Sequence, residues 1–387
     1  MLAVTSLAPG VIGAQSTPAL MRDSAGVRIV ESSAPMASGK VPRLGGRPEL
    51  QVGEGLSGGA AAFGKVAGVL LLPDGGVVVA DEHTGQVKVF DSQGRLRRSV
   101  GRTGEGPGEF RAFGTLQRLP GDSLLVYDPR LARVTVLDGG YTVARTEPIA
   151  LGSVPGIGRV HRISDGTYLV TVASLGGPDG PRGYVDLEID VRRYDPAARR
   201  LRPVARSPGR QLFRNPRGAL VNAPVLRTAS VAFHGDRVVL GNGASWMISE
   251  YAANGTLARS VRRGGIDLRL SEARYRRAEQ AILARFSRDA GVAQRWRRAF
   301  GEVPRPDWVP AYRRIIAAPD GGLWVENFTL EGEAPGGWSV FDPAGRYLGD
   351  TPVPAGFELL GVDEGRAYGV FRDEYGVEYV RVYALER

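Results

Sequence analysis

Short apolar runs rich in Val, Leu and Tyr alternate along the chain with Asp-Gly-type turns, a pattern that predicts strands joined by tight hairpins. One turn flanked by apolar strands recurs six times. It reads LLPDGGVVVAD from Leu71, RLPGDSLLVYD from Arg118 and RISDGTYLVTV from Arg162, then AFHGDRVVLGN from Ala232, AAPDGGLWVEN from Ala317 and GVDEGRAYGVF from Gly361. From Pro73, the steps to Pro120, Ser164, His234, Pro319 and Asp363 are 47, 44, 70, 85 and 44 residues. Three steps near 45 define a repeat, and the two longer ones place insertions.

A second marker, a strand closing on a bulky residue before a turn and another strand, follows the first. It appears as VKVFDSQGRLRRSV from Val87, VTVLDGGYTVARTE from Val134, VRRYDPAARRLRPV from Val191, ISEYAANGTLARSV from Ile248 and WSVFDPAGRYLGDT from Trp338. Each repeat therefore supplies four antiparallel strands, one blade of a β-propeller. The last copy, VRVYALER from Val380, stops after its third strand, and PELQVGEG (Pro48 to Gly55) supplies a matching fourth. The expected fold is all-β: a six-bladed β-propeller of four-stranded antiparallel blades over residues 48–387, closed by an N-terminal strand so that no sheet edge stays open. Residues 15–47 form an N-terminal extension.

The insertion at about 266–310, between blades four and five, has a different period. Tyr275, Ala278, Ile282 and Phe286 fall on one helical face, Ser271 is placed as an N-cap with Glu272 in the first turn, and Gly291 is expected to break the helix before a second one carrying Trp296 and Phe300. Eight arginines lie between Arg274 and Arg298. The apolar face favours a lid packed on the propeller over a DNA reader.

Composition changes this picture in three ways. The 54 glycines and 26 prolines suit turns and exclude a helical protein. The formal charge of +9 invites nucleic acid as a partner, but the arginines are scattered along the chain, which weighs against it. The absence of cysteine rules out disulfides, thiolate metal sites and a cysteine nucleophile. Leu2 to Ala14 is a short uncharged apolar stretch ending in small residues. It is too short to span a membrane and is expected to be a signal-peptide remnant cleaved after Ala14, giving a periplasmic or secreted monomer.

The segment VVVADEHTGQVKVFDSQGRLRRSVGRTGEGPGEF (Val77 to Phe110) resembles the NHL repeat, in which a strand ending in Asp leads to an R-I-x-V-F-D strand and a G-x-G-P-G-E-F loop. The Asn-Arg pair of that repeat stands here as Gly85 and Gln86. The resemblance implies a ligand- or protein-binding propeller of the kind exported by bacteria, and no particular ligand.

Gly104, Gly106 and Gly108 do not form a phosphate loop, because Pro107 lies among them and a strand, not a helix, follows. His83, His161 and His234 lack zinc spacing. Long segments collect on one face of the expected propeller, at Ala173 to Gly183, Arg206 to Val225 and Gly264 to Ala311, which marks it as the binding face. That face is expected to carry Asp81, Glu82, His83, Asp128, Arg130, Trp246, Asn327, Arg372 and Asp373. Arg159, Arg227 and Arg313, near the starts of innermost strands, would make the channel mouth cationic and suited to an anionic ligand.

Three functions remain open. The first is a non-catalytic propeller binding a protein, peptide or glycan, with no cofactor. The second is a lactonase- or lyase-like enzyme holding calcium or another divalent metal through Asp81, Glu82, Asn327 and Asp373. The third, RNA binding as in some NHL propellers, conflicts with the apparent signal segment.

Overall fold

Burial along the strands shows how the sheets are used. Every residue of Val77–Asp81 and of Leu124–Asp128 is buried, whereas Leu96–Val100 is mostly exposed. A strand apolar on both faces needs protein on both faces, so these second strands lie sandwiched between neighbouring sheets, while Leu96–Val100 faces water.

The computed structural model describes residues 19–36, 41–53, 59–149, 157–173, 180–222 and 224–386. The apolar stretch from Leu2 to Ala14 lies outside them. The described chain is all-β apart from two helices, α1 (Glu272–Arg285) and α2 (Ala290–Glu302). Six sheets follow one another in sequence. The first contains Val66–Leu71, Val77–Asp81, Gln86–Phe90 and Leu96–Val100; the second, Thr115–Arg118, Leu124–Asp128, Arg133–Leu137 and Val143–Pro148. The third has Ile157–Arg162, Tyr168–Ala173, Gly183–Asp195, Arg200–Arg214 and the short Leu220–Val221. Ser230–His234, Arg237–Gly241, Met247–Ala252 and Leu257–Arg263 make the core of the fourth, and Tyr312–Ala317, Leu323–Asn327, Trp338–Phe341 and Tyr347–Thr351 the fifth. The sixth is built on Phe357–Asp363, Arg366–Arg372 and Glu378–Glu386.

The repeated turn works through glycine. In the first sheet Gly75 sits at φ 85°, and a Cβ on Gly76 would lie 2.3 Å from the Phe90 carbonyl oxygen, so Asp-Gly-Gly is the chemistry this hairpin requires.

Apolar clusters lie between consecutive sheets. Val78, Val87 and Val89 of the first meet Leu124, Val126 and Leu137 of the second. Val77, Val79 and Phe90 of the first meet Val370, Val380 and Val382 of the sixth, together with Leu50 and Val52. The first strands touch as well: Val66–Leu71 contacts both Thr115–Arg118 and Phe357–Asp363.

The N-terminal part departs from expectation in its extent. Leu50–Val52 pairs antiparallel with Glu378–Glu386, Val52 opposite Val380. Before it, Ala19–Ser24 and Val27–Ser32 form a hairpin whose second strand runs parallel to Leu257–Arg263 and widens the fourth sheet to six strands. The chain then passes the fifth sheet, where Met36 N–H donates to the Tyr347 carbonyl at 3.0 Å and Thr351 Oγ1 to that of Pro42 at 2.5 Å. Arg43–Leu44 finally pairs with Glu378–Glu386. Residues 19–36 and 41–52 thus touch three sheets in turn.

In the helical insertion Ser271 Oγ accepts from the Arg274 N–H at 3.2 Å, and Tyr275, Ala278 and Ile282 are buried. The expected break at Gly291 is displaced. Helix α1 ends at Phe286, Asp289 caps α2 by accepting from Val292 N–H, and Gly291 lies inside α2. Ser271→Ala should cost α1 about 1 kcal/mol, read as faster amide exchange confined to Glu272–Arg285. Unchanged exchange there would refute the cap's contribution.

Candidate functional site

The starts of the first strands border a cavity of about 1050 Å³ lined by Arg159, Thr228, Arg313, Arg314, Glu326 and Glu358, among others. The ends of the same strands border a second, of about 730 Å³. Thr171 and Ile189 of the third sheet line one side of the first cavity. Ala173 pairs with Ile189, so Gly183–Glu188 of the long third-sheet hairpin stands beyond the end of its neighbour. Tyr184 Oη donates to the Pro304 carbonyl at 2.6 Å and its ring packs edge-on against Phe213. Helix α1 packs through a cluster of Val225, Leu270, Tyr275, Ala278, Val309 and Leu330. Ion pairs Arg274–Glu333 (2.6 Å) and Arg285–Glu331 (3.1 Å) tie α1 to the loop after Leu323–Asn327. The expected long loop from Arg206 to Val225 is largely strand, because Arg200–Arg214 continues pairing along Gly183–Asp195.

Charge is unevenly balanced round this mouth. On the side of the fifth and sixth sheets, Arg314 lies 3.2 Å from both Glu326 and Glu358, Arg372 lies 3.0 Å from Glu358 and 2.9 Å from Glu378, and Glu378 also accepts from the Val66 N–H. On the third-sheet side, the Arg159 guanidinium donates to the Val231 carbonyl at 3.1 Å and has no carboxylate partner among the described residues. Its guanidinium is wetted by the cavity yet deep in the molecule. Burial, and then the nearby Arg314, hold its pKa below the ordinary arginine value.

The remaining sequence candidates go elsewhere. Asp81 and Asp128, expected on the open face, are fully buried. Asp81 accepts from the N–H groups of Gly64, Lys65 and His83 and from Thr84 Oγ1, and pairs with buried Lys88 at 3.2 Å. Asp128 accepts from the N–H groups of Arg111, Ala112, Arg130 and Leu131. Both carboxylates are consumed in holding the loops around them. Glu82 pairs with Lys65, while the side chains of His83 and Arg130 are exposed. Trp246 is core, packed edge-on to Tyr312 at 5.3 Å, because its apolar surface is buried between the fourth and fifth sheets. Arg227, expected to add to the cationic mouth, is neutralised by Asp186. Asn327 bonds the Gly336 carbonyl and Ser339, and Asp373 closes its own turn through the Tyr375 and Val377 N–H groups.

The four oxygen ligands proposed for calcium therefore do not converge. Among the described residues no group of three or more His, Asp or Glu side chains is placed to hold a metal ion. The structure brings Arg159 and Arg313 to one cavity and adds Arg314, Glu326 and Glu358, which sequence reasoning missed. The adjacent Arg313-Arg314 pair was a visible signal for the first of these. Among the described residues no helix is long and apolar enough to cross a membrane.

A family model described as a 6-bladed beta-propeller matches residues 63–115, the first sheet and the opening of the second. No curated protein matches the chain. A Bacteroides fragilis protein described as exported is similar in structure, with 10% identity, a TM-score of 0.51, and coverage of 93% of this chain and 100% of that one. A Xanthomonas campestris gluconolactonase overlays at 13% identity and TM-score 0.42, covering 90% and 98%. A virginiamycin B lyase from Staphylococcus aureus overlays at 9% and 0.40, covering 89% and 98%. Such identities speak for fold and not for chemistry. The chain is an all-β protein with a β-propeller fold.

Proposed function

We propose that the chain is an exported, non-catalytic six-bladed propeller, related in its first blade to NHL repeats, that binds an acidic ligand at the mouth of its channel. The six interfacial clusters, including the one joining the sixth sheet to the first, support the ring. The apolar stretch from Leu2 to Ala14 and the likeness to a protein described as exported support the location.

The carrying observation is Arg159, a guanidinium facing a large cavity without a counter-ion while the arginines opposite are paired. A carboxylate entering the cavity gains a charge-assisted partner that has no carboxylate of its own.

Thermal unfolding of the full chain with acetyl-Gly-Gly-Asp or digalacturonate as probes tests this. A probe at a hundred times its dissociation constant should stabilise the protein by about 2.7 kcal/mol. The gain should shrink with added salt and vanish in Arg159→Ala. No shift with either probe, or a full shift in Arg159→Ala, overturns the reading.

A further inference from the structure

Beside the mouth, between the fifth and sixth sheets, lies a groove of about 330 Å³ whose walls include Pro335, Trp338, Val353, Pro354 and Phe357. Arg314, Glu326 and Glu358 border both this groove and the mouth cavity, so the two adjoin. The Arg314 guanidinium stacks over the Trp338 ring at 5.3 Å and forms the partition. Pro352 and Pro354 restrict the backbone of the loop that closes the groove, and the Gly356 carbonyl accepts from the Arg372 N–H at 2.9 Å, which fixes its end.

We propose that this groove is a second subsite of the mouth, and that the ligand is a peptide carrying an acidic group a few residues from an aliphatic or aromatic side chain. The inference rests on the mouth reading: the acid meets Arg159 and the apolar side chain fills the groove. Two features favour a peptide over an acidic glycan. Pro335, Trp338, Val353, Pro354 and Phe357 give the groove an apolar lining beside the charged side chains of Arg314, Glu326, Glu358 and Arg372, and an apolar side chain gains there by leaving water. The crossing between subsites carries two carboxylates, Glu326 and Glu358, which accept hydrogen bonds from peptide N–H groups.

The test is calorimetric titration of the full chain with two peptide series, acetyl-Leu-(Gly)n-Asp and acetyl-Ala-(Gly)n-Asp, the spacer growing by about 3.3–3.6 Å per residue. At one spacer length the leucine peptide should bind roughly tenfold or more tighter than its alanine counterpart, as burial of a leucine side chain implies. Ala355→Trp, at an exposed position on the groove, should abolish that advantage and leave the alanine peptide unaffected, and Ala355→Phe serves if the tryptophan variant melts early. Equal affinity of the two series at every spacer overturns the groove while leaving Arg159-dependent binding intact, and equal loss of both in a plugged variant that melts normally overturns the groove as a separate subsite. Failure of every peptide to bind overturns the mouth reading and this inference with it.

Discussion

Asp81→Ala should lower the unfolding free energy by about 3–5 kcal/mol, the cost of breaking a buried ion pair and stranding one partner, with or without added calcium. Lys88 is the stranded group: it is buried, pairs with Asp81 at 3.2 Å, and otherwise bonds the Ala62 carbonyl at 2.5 Å. Three backbone N–H groups and the Thr84 hydroxyl lose their acceptor as well. Chemical denaturation with chelator or calcium reads the result. A variant that is wild-type-like in chelator and loses only a calcium-dependent gain would restore Asp81 as a metal ligand.

The same carboxylate sets a pH dependence. Burial pushes the Asp81 pKa up, but the hydrogen bonds from Lys65, Thr84 and Lys88 outweigh it, and the folded-state value lies below the usual aspartate value. A depressed carboxylate contributes stability that is full above its unfolded-state pKa and is lost as pH falls through the folded-state one. Wild-type stability should therefore fall on acidification below about pH 4, and Asp81→Asn should flatten that limb.

Much of the fold was legible because it is written locally. The Asp-Gly turns mark where first strands become second ones, and continuous apolar runs such as VVVAD and LLVYD announce strands buried on both faces. Ser271 and the 275-278-282 stripe placed α1 within its sequence window. Long-range pairings were not legible. Nothing in VRIVES states that it will lie parallel to Leu257–Arg263, and its hairpin turns through Ala25 at φ 50°, a residue that does not advertise a left-handed conformation.

The site divided along the same line. Position in the strand placed Arg159 and Arg313 at the mouth, because the start of an innermost strand has one location in a propeller. Charge balance was hidden, since Arg314 meets a carboxylate 44 residues away and Arg227 one 41 residues away. Asp81 and Asp128 misled for a physical reason. A carboxylate at the end of a second strand is surrounded by loop N–H groups that need an acceptor, and it turns inward to supply one.

Truncation of the N-terminal segment should divide sharply at residue 48. Removing residues 1–47 strips Val30 and Ser32, both fully buried, and uncovers the cluster against which Val41 and Leu44 pack. At about 1.5–3 kcal/mol per large apolar side chain, the loss should be on the order of 5 kcal/mol, leaving a folded protein that melts earlier. Removing residues 1–53 also takes Leu50 and Val52 out of the cluster between the sixth and first sheets and bares the edge of Glu378–Glu386. An exposed apolar edge pairs with other chains, so this variant should be recovered mainly as aggregate, with no cooperative melting by calorimetry. Equal behaviour of the two truncations would mean that Leu50–Val52 is dispensable, and that the chain's two ends do not close the ring through it.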